Sequence, residues 1–588
     1  MRIGLLTEGG YPYASGESHE WCDRLVRGLT GHDFEIYALT ADARQETGGH
    51  RGHRELPDHV RLVGHAPLSG DFPVACRRPA EDRRGRAAGR RARRRFAGHF
   101  GDLVAAFATP PAVEHTAVGG EADRFASGLY GLAELARSGA ALPALLRSED
   151  AVRILEGICR GPGALPAARG GQLTDLLAVA DALESALRPL SLDWYGETGL
   201  ARVDLCHAAS GGAAALPGLL ATHFFGTPLL VTEHGVRLRE HYLAGAAEPL
   251  NAPVRALLAA FRRALAAETY AQAALITPGN THARRWQEHC GADPARLRTV
   301  YPGMDAGRFA EVADAAADDS RALVWVGDIE PAKDLIGLLH AFAEVRRAEP
   351  AATLRIIGGL GGDPEAAGYR AQCRALAAQL FPDEAADART AGENPVSFEE
   401  IGSPDAPTLE DAYASGTVLV LSSVVEGFPR SLVEAMFCGR ATVSTDTGAV
   451  CEIIGGTGLV VPPRNPRALA DACRALLADP DRRARLGAAA RARALELFTV
   501  EQNIAAFRGI YLDLISHAPA GPAAYGATAR DGVPRPFERP AESHVPGRWA
   551  AAGPAARTPS WALAEGECRR SRCKRYGAAG EPAVRQAW

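Results

Sequence analysis

Lysine is nearly missing from this 588-residue chain: of 65 basic residues, only Lys333 and Lys574 are lysines. Arginine is the default cation, so a kept lysine is either a chemical choice, since a compact ammonium and a planar guanidinium are not interchangeable at a phosphate, or chance. The eleven cysteines are scattered singly apart from Cys568 and Cys573. No Cys/His grouping has the spacing of a zinc site, and reduced thiols are expected. There is no uncharged apolar run long enough to cross a bilayer. The first residues, Arg2-Ile3-Gly4-Leu5-Leu6-Thr7, read as a strand rather than as the basic and apolar regions of a leader, so the cytoplasm is the expected location. A net charge of −5 is too weak a field to recruit nucleic acid, which is not an expected partner.

With 47% apolar and 23% charged residues, most of the chain can bury a core. Its length allows roughly two to four domains. The opening reads as strand Ile3 to Thr7, a glycine-containing loop to Gly16, a helix from His19 to Leu29 and a strand from Phe34 to Leu39, which is how a Rossmann-like unit begins. From Arg77 to Arg95 there are ten arginines against Glu81 and Asp82, without apolar periodicity. That stretch is expected to be an exposed, mobile insertion. Residues 96 to 187 are Ala/Leu-rich and helical in pattern. Strands resume at Val203 to Cys206, Leu229 to Thr232, Leu275 to Thr277 and Leu297 to Tyr301, with helical segments between them. Ala306 to Ser320 reads as a linker.

A second series follows, with strands at Ala322 to Val326, Leu354 to Ile357, Val396 to Phe398, Val418 to Leu421, Thr442 to Ser444 and Gly458 to Val461, then helices at Ala468 to Leu477, Arg482 to Leu497 and Val500 to Ile515. Strands alternating with helices predict parallel sheets, and two such halves imply a cleft. The expected organisation is a Rossmann-like domain over 1–316 with an insertion around 77–190, a second over 317–498, a closing helix at 499–516 and a disordered Pro/Gly/Ala-rich tail at 517–588.

The chemistry is densest in Ser422-Ser423-Val424-Val425-Glu426-Gly427-Phe428-Pro429-Arg430-Ser431-Leu432-Val433-Glu434. A buried strand runs into a Gly-Phe-Pro turn and then a helix. Pro429 suits the helix start, and the free amides around Arg430 to Leu432 form a seat for a diphosphate. Glu434, three residues past Ser431, can accept hydrogen bonds from a diol such as ribose. Glu426, with Gly427 and Phe428 beside it, lies where a sugar attached to that diphosphate would be. There is no GxGxxG after the first strand, which argues against a dinucleotide oxidoreductase, and no lysine-linked pyridoxal site is apparent.

Two glutamates separated by seven residues in this setting resemble glycosyltransferase family 4, retaining enzymes of the GT-B fold. The subgroup of the cytoplasmic Pel exopolysaccharide glycosyltransferase is most similar, through Tyr11-Pro12-Tyr13-Ala14-Ser15-Gly16, Thr232-Glu233-His234-Gly235 and the segment around Glu426. The resemblance implies an α/β GT-B fold, two Rossmann-like domains facing a cleft. It implies that Glu434 binds ribose, that Glu426 contacts the donor sugar, that the Ser431 and Leu432 amides hold the departing phosphate, and that Lys333 neutralises the diphosphate. It implies that His234 faces the donor sugar and that Gly16 belongs to a glycine loop lining the cleft.

The expected substrate is a nucleotide-sugar, a UDP-hexose by analogy, with no cofactor or metal. The expected acceptor is an unidentified glycan or small molecule, and contact with a membrane periphery or a polysaccharide synthase is an expected partnership. Asp328 departs from the family, which usually has arginine there. A catalytically impaired, sugar-nucleotide-binding subunit of a polysaccharide assembly system is the alternative.

Overall fold

The computed structural model describes residues 1–9, 11–13, 16–41, 56–69, 83–109, 118–244, 250–314, 321–359, 364–381 and 394–517. Residues 518–588 of the expected tail, residues 77–82 and the linker residues 315–320 lie outside them.

The first sheet holds β1 (Arg2–Glu8), β2 (Asp33–Thr40), β3 (Val60–Pro67), β4 (Leu205–Ala208), β5 (Leu229–Glu233) and β6 (Leu275–Pro278) in the order β3-β2-β1-β4-β5-β6. The second holds β7 (Ala322–Val326), β8 (Thr353–Ile357), β9 (Val396–Glu399), β10 (Val418–Leu421), β11 (Ala441–Thr445) and β12 (Leu459–Val461) in the order β12-β11-β10-β7-β8-β9. All pairings are parallel. Central strands such as β10, Val-Leu-Val-Leu, are buried at every position, because helices cover both faces of a parallel sheet. These are the two doubly wound sheets of a GT-B fold.

Several expectations change. The arginine-rich segment is ordered from Arg83 onward as the start of a helix, Arg83–Ala108. Arginine and alanine are good helix formers, and Phe96, Phe100, Leu103 and Val104 dock the helix at spacings of three and four. Arg90, Arg91, Arg93, Arg94 and Arg95 are exposed, as expected. Leu297 to Tyr301 runs beside β6, with the Arg298 and Val300 amides donating to the Ile276 and Pro278 carbonyls at 3.0 Å each, but it forms one isolated bridge rather than a strand. β3 escaped the sequence reading. The first part of the expected linker is a short 3-10 turn and a helix, Ala310–Asp314, anchored by buried Phe309 in the core of the second sheet.

The insertion forms helices including Val118–Arg137, Glu149–Arg160 and Leu173–Leu187, which pack on the first sheet with the long Ala252–Gln272 helix. The closing helix, Val500–His517, returns to the first sheet and buries Phe507, Ile510 and Tyr511 among Ile3, Leu5, Trp21 and Phe34. A side chain of that size contributes roughly 1.5–3 kcal/mol on burial. Gly28 makes the approach feasible, since a Cβ there would lie 2.7 Å from Ile504. At the crossing, the Met304 amide donates to the Phe498 carbonyl (2.9 Å) and the Val500 amide to the Met304 carbonyl (3.2 Å).

Tyr511 ends in a buried polar chain. Its hydroxyl lies 2.7 Å from Nδ1 of His207, whose Nε2 lies 2.7 Å from Thr232 Oγ1, itself 2.6 Å from Thr277 Oγ1. Burial, with a smaller contribution from His234, lowers the His207 pKa to about 3. The folded state therefore holds His207 neutral while the unfolded chain protonates near pH 6.5, so stability is full above that pH and is lost as pH falls toward 3. Tyr511→Phe should cost about 1–3 kcal/mol in urea unfolding at pH 7, because it leaves a buried imidazole nitrogen without its partner. Removing the imidazole with His207→Gln should flatten the loss of stability between pH 6.5 and 4.

Candidate functional site

The site is assembled at the C-terminal ends of β7 and β10, where parallel sheets present ligands. After β10 the chain is stitched to the turn that follows β7. The Val424 amide donates to the Ala332 carbonyl (2.8 Å) and Ser422 Oγ to the Lys333 carbonyl (2.7 Å). This brings Lys333 to Glu426, with Nζ 2.7 Å from Oε1. Ser423 Oγ donates to the same oxygen at 2.7 Å. Among the described residues no group donates to Oε2, so the carboxylate is held from one side and presents the other. Burial alone would lower the Lys333 ammonium, but Glu426, and Glu330 at 3.6 Å, outweigh it and hold its pKa above the ordinary value. Lys333 is charged throughout the neutral range.

The helix Arg430–Phe437 begins immediately beyond. The Leu432 amide turns back on the Pro429 carbonyl at 3.2 Å, so the Arg430 and Ser431 amides at the start of the helix are the ones aimed outward. Glu434, one turn in, is buried and accepts from Tyr413 Oη at 2.7 Å on Oε2. Tyr413 was not read from the sequence. Its signal, a tyrosine on the short helix Leu409–Ala414, is ordinary, and only the fold puts it beside Glu434. Phe428 packs edge-on against Phe498 with ring centroids 5.9 Å apart, and a Cβ on Gly427 would meet nothing within 4 Å.

Gly448 is a second residue the sequence reading missed. It has φ 57°, and a Cβ there would lie 2.6 Å from the Glu426 carbonyl oxygen and 2.7 Å from that of Gly427. The Ala449 amide donates to the Gly427 carbonyl at 3.0 Å, so this turn clamps the backbone of the glutamate loop.

The first sheet faces this loop. Arg239, on the helix Arg237–Ala244, donates from Nη2 to the Glu426 carbonyl oxygen at 2.7 Å, and Arg430 Nη2 lies 3.2 Å from Glu20 Oε2. Glu452 accepts from the amide and hydroxyl of Thr281 at 2.7 and 2.6 Å and from Tyr301 Oη at 2.8 Å. His234 follows β5 and meets Trp21 edge-on at 5.2 Å, and its Nε2 has no partner among the described residues. Burial, then Arg24, lower its pKa to about 4, so it is a neutral imidazole at pH 7. Gly16 caps the helix Glu17–Gly28 with φ 142°, and a Cβ there would meet nothing. Asp328 is exposed two residues past β7.

Two parallel sheets joined by a crossing helix, with a lysine–glutamate pair and a helix N-terminus between them, define the class as a GT-B protein. The chain belongs to the family described as "Domain of unknown function (DUF3492)", whose model matches residues 1–295, and residues 320–479 match the family described as "Glycosyl transferases group 1". It is 30% identical over 287 residues to a D-inositol 3-phosphate glycosyltransferase of Kineococcus radiotolerans, covering 44% of this chain and 63% of the relative. It is 33% identical over 214 residues to the protein of the same name from Frankia alni, covering 34% and 50%. The chain thus spans less than two thirds of these relatives' length.

Among solved structures, Anabaena Alr3699/HepE in complex with UDP aligns with TM-score 0.49 and 15% identity over 87% of this chain and 100% of that one. The sucrose-phosphate synthase of Thermosynechococcus elongatus aligns with TM-score 0.49 and 16% identity over 88% and 99%.

Gly448→Ala should lower stability by about 1–3 kcal/mol and misplace Glu426, because both the left-handed φ and the carbonyl contacts oppose a methyl. Thermal unfolding would register the loss of stability.

Proposed function

We propose that the chain is a glycosyltransferase that moves a hexose from a nucleotide-sugar, a UDP-hexose by family analogy, to a hydroxyl acceptor with retention of configuration. The observation that carries the reading is the placement of Glu426. It is pinned through one oxygen by Lys333 and Ser423, immediately before a helix whose first amides point outward and whose next turn carries Glu434. The glycosyl transferases group 1 match over the same residues supports it, as do the relatives named glycosyltransferases.

In this reading Glu434 and Tyr413 take the ribose hydroxyls. The Arg430 and Ser431 amides and the Lys333 ammonium neutralise the phosphate as its bond to the sugar breaks, which is where electrostatic stabilisation lowers a barrier most. The free oxygen of Glu426 orients the sugar. Neutral His234, whose Nε2 lacks a partner, accepts or donates one hydrogen bond to the sugar. The anomeric carbon's bond to phosphate breaks, its bond to the acceptor oxygen forms on the same face, and the acceptor proton passes to the departing phosphate oxygen. Exopolysaccharide synthesis of the Pel type is the setting proposed for the reaction.

The roles of the two glutamates should separate. Glu434→Ala should weaken nucleotide binding by about tenfold or more, while Glu426→Ala should mainly lower kcat. Retention of full transfer by both variants would refute the site. A nucleotide-sugar at 100 times its Kd should raise unfolding free energy by about 2.7 kcal/mol, which a thermal-shift screen of donors would detect.

Asp328 offers a sharper test, because an impaired, merely binding protein is the reading it favours. If the diphosphate lies by Lys333, replacing a repelling carboxylate with a guanidinium should raise kcat/KM by roughly tenfold in Asp328→Arg. An unchanged value would mean that another cation, with Arg239 the nearest to Glu426, already supplies that charge.

A further inference from the structure

The helix Arg83–Ala108 has two faces of opposite character. Ala92, Phe96, Phe100, Leu103 and Phe107 form the stripe that packs into the first sheet's core. Between Gly89 and Gly98 every exposed position is an arginine, an alanine or a glycine, and five are arginines: Arg90, Arg91, Arg93, Arg94 and Arg95. At about 100° per residue these five fan over an arc of about 200° on the side away from the stripe. Arg83, Arg84 and Arg86 fall in the preceding turns of the same helix.

Several helical arginines of this chain have a carboxylate one turn away: Arg153 has Glu149 at 2.7 Å, Arg160 has Glu156 at 2.9 Å and Arg284 has Glu288 at 2.9 Å. The five have none. No acidic residue lies within four positions of any of them, and none makes an ion pair or a hydrogen bond with a described residue. On the helices packed against this one, Val118–Arg137 and Glu149–Arg160, the carboxylates of Glu149, Glu156 and Glu134 are engaged by Arg153, Arg160 and His223. The spacing also works against the helix itself. Arg90 with Arg94, and Arg91 with Arg95, stand at i,i+4, where like charges destabilise a helix about as much as opposite charges stabilise it. A dense array of anions would relieve that repulsion.

The kind of partner follows from what the face lacks. None of the five lines the cavity of about 470 Å³ in this half, which opens among Glu8, Glu233, Arg237 and Glu240, so a small anion finds no enclosure at them. No aromatic side chain is exposed between Gly89 and Gly98 to stack on a base, as binders of single-stranded nucleic acid use, or to anchor a protein interface. Charge density alone remains, spread over half the circumference of a helix. That suits a broad surface whose anions rearrange to meet the guanidiniums. An anionic bilayer is such a surface, and the basic clusters it holds number about four to eight residues. The attraction is local to this face, because the rest of the chain is more acidic than the net charge of −5.

We propose that the arginine face of this helix is a docking surface for an anionic lipid bilayer, which holds the chain at the membrane periphery by charge. The proposal is independent of the glycosyltransferase reading.

The test is co-sedimentation of the full chain with vesicles of phosphatidylcholine, alone or with a third of the lipid replaced by phosphatidylglycerol. The wild type should pellet only with the phosphatidylglycerol vesicles. It should be released as salt rises from about 0.01 M to about 1 M, which shortens the screening length from about 30 Å to about 3 Å. In the triple variant Arg90→Gln, Arg91→Gln and Arg94→Gln, which keeps good helix formers at exposed positions, affinity should fall about a hundredfold, at roughly fivefold per arginine. Arg94→Gln alone, at the middle of the arc, should cost about fivefold. The melting temperature of the triple variant should not fall, since two repelling i,i+4 pairs go with the charges. No binding to the phosphatidylglycerol vesicles at low salt would overturn the proposal, and so would binding that the triple variant keeps in full. Tighter binding to duplex DNA or to polyglutamate than to these vesicles, compared at one salt concentration, would overturn it in favour of another polyanion.

Discussion

The contact on which the candidate site depends is the ion pair between Lys333 and Glu426 at 2.7 Å. Both groups are largely withdrawn from water, and the pair is worth little as a source of stability, because desolvation consumes most of the Coulombic gain. Its value is positional. It ties the turn after β7 to the loop after β10, the Ser422 and Val424 contacts hold the same two segments in register, and the turn at Gly448 after β11 backs the Glu426 loop. Removing Lys333 leaves the buried Glu426 carboxylate without this cation, whereas removing Glu426 leaves Lys333 with Glu330 at 3.6 Å.

The two sheets meet at this loop through few but directed bonds. Arg239 reaches a backbone carbonyl rather than the Glu426 carboxylate, so it fixes the position of the loop while leaving the acid's second oxygen unoccupied. Glu452 ties the start of the helix Thr281–His289 to the other half, and the closing helix locks the first sheet through Phe507 and Tyr511. Both halves therefore present the C-terminal ends of their strands to one region.

Much of the architecture was legible because parallel strands buried on both faces read as unbroken apolar runs. β7 and β10 were read to the residue, and most other strands to within one or two. β3, Val-Arg-Leu-Val-Gly-His-Ala-Pro, was not, because an edge strand with partly exposed positions carries no such run. Leu297 to Tyr301 carried strand-like residues but meets β6 through one isolated bridge at the sheet's border. The arginine-rich start of the Arg83–Ala108 helix misled for the opposite reason: its apolar stripe begins only at Phe96, so the periodicity that secures the helix lies beyond the charged residues.

The sequence by itself determined the two-sheet plan, the Glu426 and Glu434 pair at the start of one helix, and the singular Lys333. Each of these is a local matter of apolar runs, a turn and a residue type. Only the tertiary structure decided that Lys333 pairs with Glu426, that Tyr413 and Gly448 support the two glutamates, and that Glu8, Glu233 and Glu240 line one cavity with Arg237. Lys333 and Glu426 lie 93 residues apart and Tyr413 and Glu434 lie 21 apart. Charge and polarity along the chain say which groups must be satisfied when buried, but only the packing of strands and helices says by which neighbour.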